Sequence, residues 1–461
     1  MSGFMILAGY GIMLGLIFLI LVKKGAVNQG SINNMIFAGG SAGSGMLVFS
    51  VLSAWMWTTS IFGAAETYTL YGIWGPLGYV IGACISFAVF VPVICAVYRK
   101  VPGSVTYLDF LQRRYGKATK VFFYIFAFAV SSYVLIEQAV GIAIVMETFF
   151  GSSFKWVAFF SVMLATVFIC AGGMKGLLIN ESIAFFVILG GFLFFTVFFM
   201  NSEGIHIRNA VAGDGGSWLT DAVLIPAGRY FAMAIVIGFG QLAFDPAYYI
   251  KGKMAKSIKQ LKFTYLFSGV LLWGSISLIS SVYLGWASDN KGVEVTGLFS
   301  GASAVILAVI ITVIGIGTVA HFLMGMLGMF TIDYYGEMLR PKATERQKLV
   351  FGRVITAAVG VFCALVAISL EDISLLTIDV FCAIFFAAPC GPLLLGLLTK
   401  RKFGNLPIPA TALGITGGII VWIAVPNAGQ WDQFAGMTAS LLIPVLVMLL
   451  GGYAVKRGSD V

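Results

Sequence analysis

Apolar runs of about twenty residues recur along the whole chain, parted by short polar stretches. Each is long enough to cross a ~30 Å hydrocarbon core as a helix. The pattern predicts thirteen spans, at 4–22, 44–70, 74–98, 120–149, 156–172, 178–200, 222–249, 263–285, 298–330, 353–370, 373–399, 406–425 and 435–455. Two of them are interrupted in mid-run. The second carries "SVLSAWMWTTSIFGAAET" (50–67), with two tryptophans, several hydroxyls and a carboxylate where an unbroken apolar helix is expected. The seventh carries "IGFGQLAFDPAYY" (237–249), in which Gly238, Gly240 and Pro246 weaken the helix and Asp245 directly precedes the proline.

Composition and charge narrow the class. The chain is 60% hydrophobic and only 10% charged, far from the ~25% charged residues of a soluble domain. With the N-terminus outside, the inside loops hold 24 of the 28 Lys and Arg, including Arg99 to Lys120 and Lys251 to Lys262. That excess sets the orientation and a cytoplasmic C-terminus. The net charge of +9 is therefore spread through short loops and gives no nucleic-acid surface. The first run reads as a retained span rather than a removed signal peptide, and no fused signalling domain is expected after the last. No phosphate-binding loop is present, and "AGGSAGSG" (38–45) reads as a flexible linker. The six cysteines lie inside apolar runs, with neither zinc nor disulfide spacing.

Polar groups inside spans are costly, so each is a functional candidate. Trp55 and Trp57 stand about ten residues from either end of their span, ~15 Å deep, which is too deep for interfacial anchors. A helix broken there by small and hydroxyl residues would make a polar seat at mid-membrane. Asp245 reads either as a helix cap or as a site residue. Glu181 lies near the inner end of the sixth span and reads either as a site residue or as a group reaching the surface. Glu137 and Gln138 suit a packing hydrogen bond, and His321 either a satisfied core histidine or a proton relay. Arg229, the only basic residue within a span, is placed to snorkel outward. Asp379 has no evident partner. Breaks in spans two and seven divide the core into two five-span halves, 2–6 and 7–11.

Several segments resemble the sodium:solute symporter family in order and spacing: "FAGGS" (37–41), "LDFLQRRYG" (108–116), "AGGMKG" (171–176), "KMAKS" (253–257) and "MFTIDYY" (329–335). Gly40 stands where the family commonly has an arginine. Within the family, "SAWMWTT" (53–59), "YGIWGPLGY" (71–79), "KVPGSVTYLDFLQRRYG" (100–116) and "FDPAYY" (244–249) resemble the active urea transporters, a group that also carries polyamine transporters.

The resemblance implies an all-α polytopic membrane protein with LeuT-like inverted five-helix repeats and broken helices at spans two and seven. The implied division is 1–43 first span and linker, 44–200 first repeat, 201–221 extracellular loop, 222–399 second repeat, and 400–461 two C-terminal spans and a tail. It implies an ion-coupled symporter of the plasma membrane, not an enzyme, moving a small polar solute, most readily urea. A polyamine or amino-acid symporter, a passive urea channel and a transporter-like sensor are the alternatives. Expected solute contacts are Trp55, Trp57, Thr58, Ser60, Asp245 and Tyr248. The family's sodium site maps onto Ser53, Met56 and Ile314 through carbonyls, and onto Gly317 and Thr318 where the family has two hydroxyls. One hydroxyl is thus missing, which leaves Na+ or H+ as the coupling ion, with Glu181 and His321 as candidates for proton coupling. No other cofactor is implied, and the lipid bilayer is the expected partner besides the solute.

Overall fold

The computed structural model describes residues 3–25, 30–202, 219–371 and 375–458, and their regular structure is entirely helical. Most of the predicted 201–221 loop thus lies outside the described residues. Ten of the described helices are long and apolar enough to cross a membrane. In chain order the helices are α1 Gly3–Lys23, α2 Ile32–Phe37, α3 Ser44–Trp55, α4 Phe62–Tyr71, α5 Trp74–Lys100, α6 Tyr107–Tyr115, α7 Lys117–Phe150 and α8 Phe154–Ser202. They continue as α9 Asp221–Ala243, α10 Pro246–Lys253, α11 Ile258–Leu266, α12 Trp273–Lys291, α13 Gly301–Met329, α14 Glu345–Ala367, α15 Leu375–Leu398, α16 Pro407–Ala424 and α17 Trp431–Gly458. Two π-helical stretches, Phe267–Leu272 and Phe330–Leu339, join α11 to α12 and extend α13.

Both expected breaks are present. α3 ends at Trp55, Met56 is extended (φ −83°, ψ 100°), and helix resumes at Phe62. Hydrocarbon offers no water to satisfy the freed backbone groups, so side chains do it. Trp57 N–H donates to Ser60 Oγ at 3.2 Å, and Thr58 N–H to Gln138 Oε1 at 2.9 Å. Met56 C=O accepts from Thr318 Oγ1 at 3.3 Å, and Ala54 C=O from the Trp57 indole at 2.8 Å. Glu137 supports the same turn, its Oε1 accepting from Thr59 Oγ1 at 2.5 Å. The second break falls between α9 and α10. Proline at the first position of α10 forces Asp245 into extended backbone (φ −85°, ψ 116°), and Asp245 Oδ1 caps Ala247 N–H at 2.8 Å.

Four local expectations are corrected. Gly238 and Gly240 do not break the seventh span, because α9 runs through them to Ala243. They permit close packing instead: a Cβ at Gly240 would sit 2.5 Å from Phe386 Cβ, and one at Gly238 2.8 Å from Ser86 Oγ. Where a loop was expected between spans five and six, α8 continues through a kink at Gly173 (φ 56°, ψ −155°). A Cβ there would meet Met35 O of α2 at 2.6 Å, which only glycine avoids. The linker at 38–45 is pinned rather than free, since Ala42 bonds to Met254 O at 3.1 Å and accepts from Gln260 Nε2 at 3.0 Å.

The last correction concerns charge. Lys120 and Lys251, counted among the loop cations, have side chains with no exposed surface. Lys120 Nζ sits among Asp109 (2.8 Å), Glu337 (2.7 Å) and Asp333 (3.3 Å), tying α6 and α7 to the end of the α13 extension. Asp109 is a loop-helix group; burial pushes its carboxyl up, but Lys120 wins and holds it below the ordinary carboxylate range. The Lys and Arg asymmetry survives their removal from the count. Arg229 lies 4.7 Å over the Trp431 ring and donates to the carbonyls of Ala428 and Gly429, which ties α9 to the turn before α17.

Candidate functional site

The two breaks lie side by side, and the first is flanked by a small aromatic cavity that α5, α9 and α12 close. Its volume is ≈20 Å³, and its lining includes Trp55, Trp57, Ser60, Tyr79, Gln241 and Trp273. None of its lining residues carries a charge. One ordered water needs ~10–15 Å³ on this scale, so the space as it stands holds one or two waters. The indoles make tilted and edge contacts: Trp55 to Trp57 at 5.1 Å and Trp55 to Trp273 at 6.1 Å between ring centroids. Gln241 Nε2 donates to Tyr133 OH at 3.2 Å.

On the α3 side of the break lies a chain of buried titratable groups. Lys251 Nζ is 2.6 Å from Glu181 Oε1 and 3.3 Å from Ser50 C=O. Glu181 Oε2 accepts from Ser50 Oγ, and its backbone carbonyl accepts from Ser53 Oγ at 2.7 Å. His321 Nδ1 stands 3.5 Å from Glu181 Oε1, and His321 Nε2 lies 2.9 Å from Asp245 Oδ2. The side chains of Lys251, Glu181, His321 and Asp245 all have no exposed surface. The groups come from four helices, α3, α8, α10 and α13. Gly325 makes the last approach possible, since a Cβ there would sit 2.7 Å from Ala247 N.

Tyr248 joins the two parts. Its ring lies 4.7 Å from the His321 ring and 6.1 Å from Trp55, a cavity wall. Its backbone carbonyl accepts from Tyr265 OH.

Of the residues expected to contact solute, Trp55, Trp57 and Ser60 line the cavity, whereas Thr58, Asp245 and Tyr248 do not. Thr58 gives its backbone N–H to Gln138 at the break. Asp245 is a cap, as one reading of the sequence had it, and also pairs with His321. Glu181 is buried and paired rather than reaching the surface. Of the positions matching the sodium site, Met56 C=O accepts from the Thr318 hydroxyl at 3.3 Å, and the Ser53 side chain donates to Glu181 C=O at 2.7 Å. Ile314 is buried in α13, and Gly317 has ordinary room, with Asn180 Nδ2 3.7 Å from where a Cβ would stand.

Lys251, Gln241, Tyr79 and Trp273 were missed. For Lys251 there was a signal: the Asp-Pro start fixes a helix through 253, which puts Lys251 one turn beyond Ala247 on the same face. The other three reach the cavity only through tertiary packing.

No protein-family model matches the chain. It is 24% identical to "Probable urea active transporter 1" of Schizosaccharomyces pombe over 514 residues, covering 96% of this chain and 76% of that protein. It is 23% identical to "Urea-proton symporter DUR3" of Oryza sativa subsp. japonica over 508 residues, covering 98% and 70%. The chain is a homologue of the urea active transporters. It is a secondary active symporter, not an enzyme. Its fold is LeuT-like and is shared with a Na+-coupled sialic acid symporter in a substrate-bound outward-open state. That match has a TM-score of 0.73 at 16% identity and covers 97% of this chain and 98% of the other.

Proposed function

We propose that the chain is a proton-coupled urea symporter of the plasma membrane, with its N-terminus outside. The observation that carries the reading is the buried row Lys251, Glu181, His321 and Asp245, hydrogen-bonded at both ends with His321 Nδ1 3.5 Å from Glu181, and reached from the cavity wall through Tyr248. Lys251 and Glu181 cancel in charge. Asp245 then faces His321, and one proton on that pair makes the whole chain neutral. An uncompensated buried charge is expensive, so the loaded site crosses between its two openings more readily than the unloaded one. Solute in the cavity bears on Trp55, Trp55 on Tyr248, and Tyr248 on His321. Solute and proton occupancy are coupled through that contact.

The solute half rests on two supports, urea-named relatives and an aromatic lining without charge, and the small cavity would widen to admit urea. Urea is neutral and planar, with one carbonyl and two NH2 groups, and fits flat against indole faces. A polyamine would bring ammonium groups into a lining that has no carboxylate. Proton rather than sodium coupling is favoured because the second hydroxyl position is Gly317, which offers no side-chain oxygen. Sodium wants several oxygens at once. One charge falling through ~100 mV is worth about 2.3 kcal/mol, enough for roughly a fiftyfold gradient of neutral solute.

The test is labelled urea uptake into proteoliposomes under an inward proton gradient, an inward sodium gradient, or neither. The reading expects concentrative uptake with protons alone. Concentration with sodium alone would reject proton coupling, and equal entry in all three would make the protein a channel.

A further inference from the structure

We propose that the indole N–H groups of Trp55 and Trp273 are the carbonyl-recognition pair of the cavity, and that its ligand class is the small neutral amide. This rests on the cavity being the solute site. Both indoles line it, both are almost wholly buried, and neither N–H has an acceptor. The third indole differs: Trp57 donates to Ala54 C=O at 2.8 Å. Other polar groups in the lining are engaged within the protein. Ser60 Oγ accepts from the Trp57 backbone N–H, and the Gln241 amide nitrogen donates to Tyr133.

A buried donor without an acceptor is rare in a folded protein, and here two belong to side chains that line one small space. A carbonyl oxygen has two lone pairs and can accept from both. An ammonium or guanidinium ion could lie against the indole faces, but it has no acceptor and would leave both donors unmet. A carboxylate has acceptors but would enter a lining with no cation to balance it. What remains is a neutral molecule with a carbonyl and little bulk, such as urea, formamide or acetamide.

The test replaces Trp55 and, separately, Trp273 with 3-benzothienylalanine, which keeps the ring shape and removes only the N–H. Each variant is compared with the parent in proteoliposomes. Losing one neutral hydrogen bond predicts a rise in urea KM of roughly two- to tenfold with maximal rate retained. Formamide and acetamide should compete with urea, and guanidinium and putrescine should not. Urea KM unchanged in both variants, or competition by guanidinium as strong as by formamide, would overturn the proposal and leave the urea reading standing. Should the parent protein move no urea, the readout becomes the rise in unfolding temperature with acetamide. A rise lost in both variants would uphold the pair while rejecting urea as the solute, and a rise kept in both would overturn the pair.

Discussion

Replacing Lys251 with methionine leaves Glu181 without its 2.6 Å ammonium partner in a site with no exposed surface. The carboxylate would take up a proton rather than stay charged and alone. With an ordinary glutamate pKa of ~4.3, protonation at pH 7 costs about 1.36 kcal/mol per pH unit, hence ~4 kcal/mol. That figure is a ceiling and agrees with the ~3–5 kcal/mol typical of a buried pair broken on one side. Removing both charges, as Lys251→Met with Glu181→Gln, should restore stability to within about 1 kcal/mol of the parent, since a neutral isostere of a buried pair is often no worse than the pair. The assay is the unfolding temperature of detergent-solubilised protein, with the single variant lower by on the order of 5 °C and the double variant near the parent. Equal stability in single and double variants would refute the claim that these side chains form a charge pair.

Asp245→Asn keeps a capping side chain at the start of α10, so the protein should fold while concentrative uptake at pH 6 falls to the no-gradient level; normal uptake would remove Asp245 from the coupling path. Gly317→Ser restores the second hydroxyl where a Cβ would meet nothing closer than 3.7 Å. It should be tolerated within about 1 kcal/mol and should introduce a sodium-dependent rise in unfolding temperature that the parent lacks. Lys120→Met opens the cluster of Asp109, Asp333 and Glu337 and should cost about 3 kcal/mol at pH 7, the low end for a buried pair because Glu337 is half exposed. Asp109 has its carboxyl depressed in the fold, so its contribution is complete above the unfolded value near ~4 and fades as pH falls through the folded one. The parent's advantage over Lys120→Met should therefore shrink below about pH 4, measured as the gap between their unfolding temperatures.

The breaks were legible because their causes are local. Asp-Pro dictates an extended residue and a helix start, and the Trp-Met-Trp-Thr-Thr-Ser run supplies its own hydroxyl acceptors. Glu137 and Gln138 were legible as packing hydrogen bonds, although their partners, Thr59 and Thr58, were not. Lys251 was obscured by its neighbours. Beside Lys253 and Lys256 it looks like one more loop cation, and only the approach of α8 buries it against Glu181. The glycines of α9 misled in the opposite way. Glycine in a helix weakens it in isolation, but here close contact with α5 and α15 decides the matter. Trp273 and Tyr79 sit in runs that look like ordinary apolar span, and nothing in their local sequence marks them as walls of the cavity.

The account's central claim is that one path carries solute occupancy to a proton site. The most direct measurement is proton movement driven by solute alone. Proteoliposomes holding a pH-sensitive dye, with no ion gradient and the membrane potential clamped at zero, would receive external urea. The account predicts acidification of the lumen with about one proton per urea, absent in Asp245→Asn. Urea entry with no change in lumenal pH would contradict it.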